Sequence, residues 1–190
     1  MPTPYGGQSQ QRWNSDTLNK HNVMQDMVLA DLQGELRLTA LARKSGMLVL
    51  AFFHTDCPTS AFMLPYLQKL ANAYKETGKL IVWGVSQDDS ATTSAFVQQH
   101  GIAFPVCLDR ESYHSTALGV VTVPTVFLVN GAGEVVRKIA GWDRRALNQM
   151  SADIAAFVEQ ETPAVIVPDD DPAPARRFGC GTRRATMLTG

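Results

Sequence analysis

Met47-Leu48-Val49-Leu50-Ala51-Phe52-Phe53, followed at once by His54-Thr55-Asp56-Cys57-Pro58-Thr59-Ser60, decides how the rest of the chain is read. An unbroken apolar run of this length has the character of a strand buried on both faces, as the inner strands of a parallel sheet are. The second stretch opens a helix. Pro58 suits the first helical position, where its missing N–H would have no partner in any case. Phe62, Tyr66, Leu70, Ala73 and Tyr74 recur at spacings of three and four and predict the buried face of a helix over 58–77. Pro65 removes one backbone bond and predicts a kink, and Gly78 fits the stop. Cys57 therefore lands at a helix N-terminus, where unpaired N–H groups and the positive end of the helix dipole favour an anion. A thiol there is expected to ionise more readily than free cysteine, and thiolate is the nucleophilic form. Asp56 opposes this by like-charge repulsion unless it turns toward solvent.

On the N-terminal side, an apolar pattern through Leu29, Leu32, Leu36, Leu38 and Leu41 carries a turn at Gln33-Gly34. Residues 1–28 read as a flexible leader and lead-in. On the C-terminal side, residues 80–85 form a second buried strand, residues 90–100 a helix and residues 104–108 a short strand. That strand is expected near a sheet edge, because Pro105 cannot donate to a ladder. A short helix over 111–118 follows. Residues 126–129 and 134–139 then make a hairpin around Asn130-Gly131-Ala132-Gly133. Asp143 caps a last helix to about residue 160. Strands alternating with helices, closed by a hairpin and a helix, predict an α/β domain over 29–160: a mixed central sheet flanked by helices on both faces. Pro163, Pro168, Pro172, Pro174 and the acidic run 169–171 predict a flexible tail over 161–190.

The composition narrows the function classes. An apolar fraction of 45% with 18% charged residues is that of a globular chain, and a net charge of −1 gives no basis for a nucleic-acid or polybasic membrane partner. No stretch approaches the ~20 apolar residues of a membrane helix. The polar start MPTPYGGQSQ lacks a signal-peptide layout, so with Met1 as the natural start the chain is expected to be cytoplasmic. The three cysteines, Cys57, Cys107 and Cys180, are far apart, and none of the four histidines sits at ligand spacing from one; no metal and no cofactor is expected.

Thr122-Val123-Pro124-Thr125 stands just before a buried strand. A cis peptide is plausible at such an X-Pro bond. It would leave the carbonyl and N–H of Val123 free beside the Cys57 helix, able to hold an extended partner segment by strand-like hydrogen bonds. A plain proline at a strand start is the simpler alternative for this motif alone. For Cys57 alone, it is a cysteine that merely caps its helix.

The runs VLAFFHTDCPTS, GVSQDD, FPVCLD, GVVTVPTVFLVNGAGEVV and GWD, in this order, resemble the thioredoxin superfamily. The nearest branch is the redoxins: TlpA-like thiol-disulfide oxidoreductases and their AhpC/TSA-type relatives. The resemblance implies a thioredoxin-like fold, a nucleophilic Cys57, and a cis Pro124 facing it. It also implies a substrate-binding surface of Pro58, Ser60, Val123 and Pro124. The partners it implies are a disulfide- or peroxide-containing substrate and an external thiol reductant, either thioredoxin or a low-molecular-weight thiol. The chain departs from the CxxC of this branch at Ser60, whose hydroxyl cannot attack a mixed disulfide as a second sulfur does. It departs from peroxiredoxins too: the proline and threonine seven and three residues before their cysteine correspond to Leu50 and His54. The expected function is thus a thiol-disulfide oxidoreductase with a monothiol CPTS site. An antioxidant AhpC/TSA-type peroxidase at Cys57 and a non-catalytic peptide-binding module are the alternatives.

Resolution must come from another thiol. Cys107, in a strand, reads as a small buried hydrophobe. Cys180 is the candidate resolving thiol, or else an incidental cysteine of a basic tail. Arg176, Arg177, Arg183 and Arg184 are expected to lower its pKa, and Gly179 and Gly181 to leave it accessible. A flexible tail of this length spans roughly 25 Å, enough to visit Cys57. His54 reads as a packing or solvent-facing residue, and Gln87-Asp88-Asp89 as a helix cap.

Overall fold

The computed structural model of the protein describes residues 23–183. Strand β1 (Val28–Asp31) turns back into β2 (Leu36–Leu38), and a single helical turn, α1 (Thr39–Ala42), leads to β3 (Met47–Phe53). Helix α2 (Pro58–Tyr74), β4 (Leu80–Ser86), α3 (Ser90–Gln99), β5 (Val106–Leu108) and α4 (Tyr113–Ala117) follow. The chain continues through β6 (Thr122–Val123), β7 (Thr125–Val129), β8 (Val135–Ala140), β9 (Trp142–Asp143) and α5 (Arg144–Phe157). It closes with two short strands, β10 (Arg176–Arg177) and β11 (Cys180–Gly181).

Seven strands form one sheet in the order β2-β1-β5-β4-β3-β7-β8. The β3–β4 and β4–β5 pairs are parallel, while β7 pairs antiparallel with β3 and β8 antiparallel with β7. This is the mixed α/β, thioredoxin-like architecture. Every residue of β3 is buried, and its side chains alternate between two apolar layers, as the period of a strand requires. Val49, Ala51 and Phe53 pack with Leu64, Leu67 and Leu70 of α2 and with Leu147, Met150 and Ile154 of α5. Leu48, Leu50 and Phe52 pack on the other side with Trp83, Cys107, Phe127 and Cys57. Asp89 and Asp143 cap α3 and α5 by accepting from Thr92 N (2.8 Å) and Ala146 N (2.9 Å).

Three expectations are corrected. The first is the face of α2. It runs through Pro65, and its buried face is Met63, Leu64, Leu67, Leu70 and Tyr74, whereas Ala73 is exposed. Phe62 and Tyr66 lie one face over and pack on Trp142, Phe62 edge-on and Tyr66 tilted, with centroids 4.9 and 4.6 Å away. The second is β5, which is internal between β4 and β1. Pro105 precedes its paired residues and offers the sheet only its carbonyl, to Gly84 N at 3.0 Å.

The third is the tail, which over 161–183 is docked rather than flexible. Ile166, Val167 and Ala173 are buried. Asn148 of α5 bonds the backbone of Ile166 and Val167, and the Arg144 guanidinium collects the carbonyls of Asp169, Asp171 and Ala173. Trp142 donates its indole N–H to Pro174 O at 2.7 Å. Proline-rich composition rules out regular hydrogen bonding within the segment, but here side chains of the domain supply the partners. The expected leader 1–28 falls mostly outside the described residues; at its end Val23 bridges to Glu134.

Candidate active site

Cys57 is the N-cap of α2, fully buried at the point where β3 runs out into the helix. Its extended backbone turns the sulfur back over the helix end, where Ser60 N donates to it at 3.4 Å. The Cys57 thiol in turn donates to Val123 O at 3.3 Å. The Val123–Pro124 peptide is cis, and both residues are buried. Ser60 is buried as well, its hydroxyl without a hydrogen-bond partner among the described residues, while Pro58 is exposed on the first turn. Asp56 turns to solvent.

The Val123 edge, expected to stand free for a partner segment, is occupied by the chain's own tail. Strand β11 pairs antiparallel with β6, setting Cys180 opposite Val123 and Gly181 opposite Thr122. Just upstream, β10 pairs with β9. Thr59 donates its hydroxyl to Phe178 O (2.7 Å), Thr182 N donates to Val121 O (3.2 Å), and a His54 ring nitrogen lies 3.2 Å from Gly181 O. Gln87 donates to the Thr182 hydroxyl (2.5 Å) and accepts from Arg183 N (3.0 Å). The Arg183 guanidinium lies 2.8 Å from Asp56 and 2.5 Å from Asp88. Gly141, at φ +74°, lets the strand pass: a Cβ there would stand 2.6 Å from Arg177 O.

Cys57 and Cys180 thus meet at Val123, the one through its thiol and the other through strand pairing. Burial pushes the Cys57 thiol up, but hydrogen bonds from the Cys180 thiol and from Ser60 outweigh it and leave Cys57 below the ordinary thiol range. The same pairing acts on Cys180 with the opposite sign. Its hydrogen bond to Cys57, aided by burial and by the charge of the Cys57 thiolate, pushes it up to about 11. The expectation that arginines would lower the Cys180 pKa is therefore reversed. Arg176 is paired with Asp143, Arg177 lies over the Phe62 ring, and Arg183 is held by Asp56 and Asp88; Arg184 falls outside the described residues. Cys107 is fully buried, and desolvation pushes it up to about 12. Among the described residues no group of three or more His, Cys, Asp or Glu is placed to share a metal ion.

Of the residues singled out from sequence, the structure brings Cys57, Ser60, Val123, Pro124 and Cys180 together. Sequence reading missed Gln87, Asp88, Thr59 and Arg183 as parts of one binding edge. The GVSQDD run was the available signal, read there as a cap; Asp89 does cap, while its two predecessors face the tail.

The profile of the AhpC/TSA family matches residues 21–138. The chain belongs to the AhpC/TSA family. Among curated proteins, it is 33% identical over 117 residues to the thiol-disulfide oxidoreductase ResA of Halalkalibacterium halodurans, covering 61% of this chain and 65% of that protein. To the ResA of Bacillus thuringiensis it is 30% identical over 139 residues, 73% of this chain and 76% of the other. Among solved structures, the thioredoxin domain of a thiol-disulfide oxidoreductase from Bacteroides vulgatus superposes with a TM-score of 0.61 at 20% identity, over 70% of this chain and 95% of that one. The AhpC/TSA match ends at residue 138, so the tail strand that covers Cys57 lies beyond it.

Proposed function

We propose that this AhpC/TSA-family chain is a thiol-disulfide oxidoreductase in which Cys57 is the nucleophile and Cys180 the resolving thiol. One observation carries the reading: the tail sets Cys180 opposite Val123, the residue whose carbonyl accepts from the Cys57 thiol. The name shared by its ResA relatives points the same way.

The Cys57 thiolate attacks one sulfur of a substrate disulfide, that S–S bond breaks, and the far half leaves as a thiolate. A mixed disulfide between Cys57 and the substrate remains. Cys180, deprotonated as the departing sulfur takes up a proton, attacks the Cys57 sulfur and expels the second half. The substrate gains two electrons, and the protein holds a Cys57–Cys180 disulfide. An external thiol reductant restores the dithiol. The monothiol appearance of Cys57-Pro58-Thr59-Ser60 is thereby explained: the second sulfur arrives on a strand, not on the helix. The chemistry suits a compartment that keeps thiols reduced.

Peroxide reduction is a second reading, favoured by the same juxtaposition. A Cys57 sulfenic acid would condense with Cys180, losing water, to the identical disulfide. Leu50 and His54, in place of the peroxiredoxin proline and threonine, weigh against it.

Non-reducing peptide mapping tests the proposal. With a small disulfide as oxidant, the wild type should yield a Cys57–Cys180 linkage. Cys180→Ser should stop at the Cys57 adduct, and Cys57→Ser should give no turnover. A Cys57–Cys107 linkage would overturn the assignment of Cys180. Faster turnover with peroxide than with any disulfide would select the second reading.

A further inference from the structure

The edge beside Val123 is selective for the strand laid on it, and the resident strand shows at which positions. Gly179, one residue before the cysteine, has no room for a side chain: a Cβ there would run into the Val123 carbonyl and the Thr122 side chain, both belonging to the receiving edge. Gly181 has open space where its Cβ would lie, and its carbonyl contact to His54 is one any residue can make. Phe178 gives Thr59 only its carbonyl and is 98% exposed. Three residues after the cysteine, Arg183 enters a clamp of Asp56 and the buried Asp88, where charge-assisted hydrogen bonds reward a cation. The receiving surface therefore discriminates most sharply at these two positions, while the Thr182 hydroxyl, accepting from Gln87, and Arg177, over the Phe62 ring, add to the fit.

We infer that this groove binds polypeptide substrates of one pattern, a cysteine preceded by glycine and followed three residues later by a cationic side chain, and that residues 176–183 are the resident copy which such a substrate displaces. The inference rests on the thiol-disulfide reading of Cys57 and names the substrate class for it. Two strands cannot pair with Val123 at once. A substrate strand therefore enters as the tail lifts, Cys57 forms the mixed disulfide, and the returning tail brings Cys180 to the Cys57 sulfur to release the reduced segment.

The test uses the full chain carrying Gly179→Val, whose own strand cannot seat, and follows iodoacetamide labelling of Cys57 by peptide-resolved mass spectrometry. Rates are compared on the alkaline plateau, where ionisation no longer limits them. Labelling should be at least ~tenfold faster than in the wild type, because the covering segment is released. The unreactive peptide Arg-Arg-Phe-Gly-Ser-Gly-Thr-Arg should restore protection. The same peptide with Val in place of its first Gly should not, and Glu in place of its last Arg should weaken protection by about tenfold. Arg183→Glu, at a partly exposed position, loosens the same strand and serves if Gly179→Val folds poorly. Equal protection by the Gly and Val peptides, or none by any peptide at millimolar concentration, overturns the inference. So does an unchanged labelling rate in both protein variants. Turnover that survives Cys57→Ser would instead sink the catalytic assignment while leaving the peptide protection intact.

Discussion

Cys57 and Cys107 lie in the same apolar layer and are both fully buried, yet they stand at opposite ends of thiol chemistry. Cys107 sits in the middle of β5, paired through its backbone with β4 and β1. Desolvation dominates there and holds its thiol at about 12. Cys57 is desolvated too, but it stands where a strand ends and a helix begins, with Ser60 N and the Cys180 thiol offering hydrogens to its sulfur. Burial alone does not decide reactivity; the supply of donors to the sulfur does. That supply comes from a helix N-terminus and from a strand far away in sequence.

Replacing each cysteine in turn separates the two most sharply. Cys57→Ser should reduce disulfide turnover to the uncatalysed rate, while Cys107→Ser, if folded, should leave kcat/KM within about twofold of wild type. Comparable losses from both would mean that the shared layer, not the helix end, carries the chemistry. The next contrast is the pH profile of alkylation. Cys57 should label with a midpoint below the ~8.5 of free cysteine. Cys107 should stay unlabelled until the protein unfolds. A Cys57 midpoint above the free value would erase the distinction.

Ser60→Cys sharpens the comparison by moving the second sulfur from the strand to the helix. Oxidation should then link Cys57 to the introduced thiol at the expense of the Cys57–Cys180 bond, and turnover should rise on the order of two- to fivefold. An unchanged linkage map would show that position 60 cannot reach the sulfur. The smallest effect expected is on stability. The Cys107 pKa is raised on folding, so its contribution is fully present below the unfolded value of ~8.5 and is lost as pH climbs toward about 12. Denaturant midpoints measured between pH 8 and 10.5 should fall less steeply for Cys107→Ala than for the wild type. Parallel slopes would place the alkaline loss elsewhere.

The two halves of the site differed in how visible they were in sequence. Strand β3, the Cys57 helix start and the Val123–Pro124 step were legible because each is a local pattern: an apolar run, a cap with proline behind it, a proline opening a strand. The position of β5 was not, since nothing local in FPVCLD announces that β1 will pair on its outer side. The buried face of α2 was right at Leu70 and Tyr74 but wrong in its first turns, because Phe62 and Tyr66 carry large rings that read as core; they pack instead on Trp142, which lies on a distant element. The tail was misread for a related reason. Its prolines correctly exclude helix and long strand, but Asn148, Arg144, Asp56 and Asp88 supply the missing partners from other parts of the chain. Cys180 was legible as the candidate partner of Cys57, but by the reach of a flexible tail; the strand pairing that sets it opposite Val123 was not.

Gly141 and Gly179 meet where the tail crosses the domain: a Cβ on Gly141 would press on Arg177 O and Gly179 N, and one on Gly179 would press on Val123. Neither residue touches a substrate, yet each is a condition for the other's usefulness. Once the strand is lost, both positions are released from constraint together. Descendants of a common ancestor should therefore keep the two glycines as a pair or drift at both, and a chain retaining one while replacing the other should have changed the course of its C-terminal strand as well.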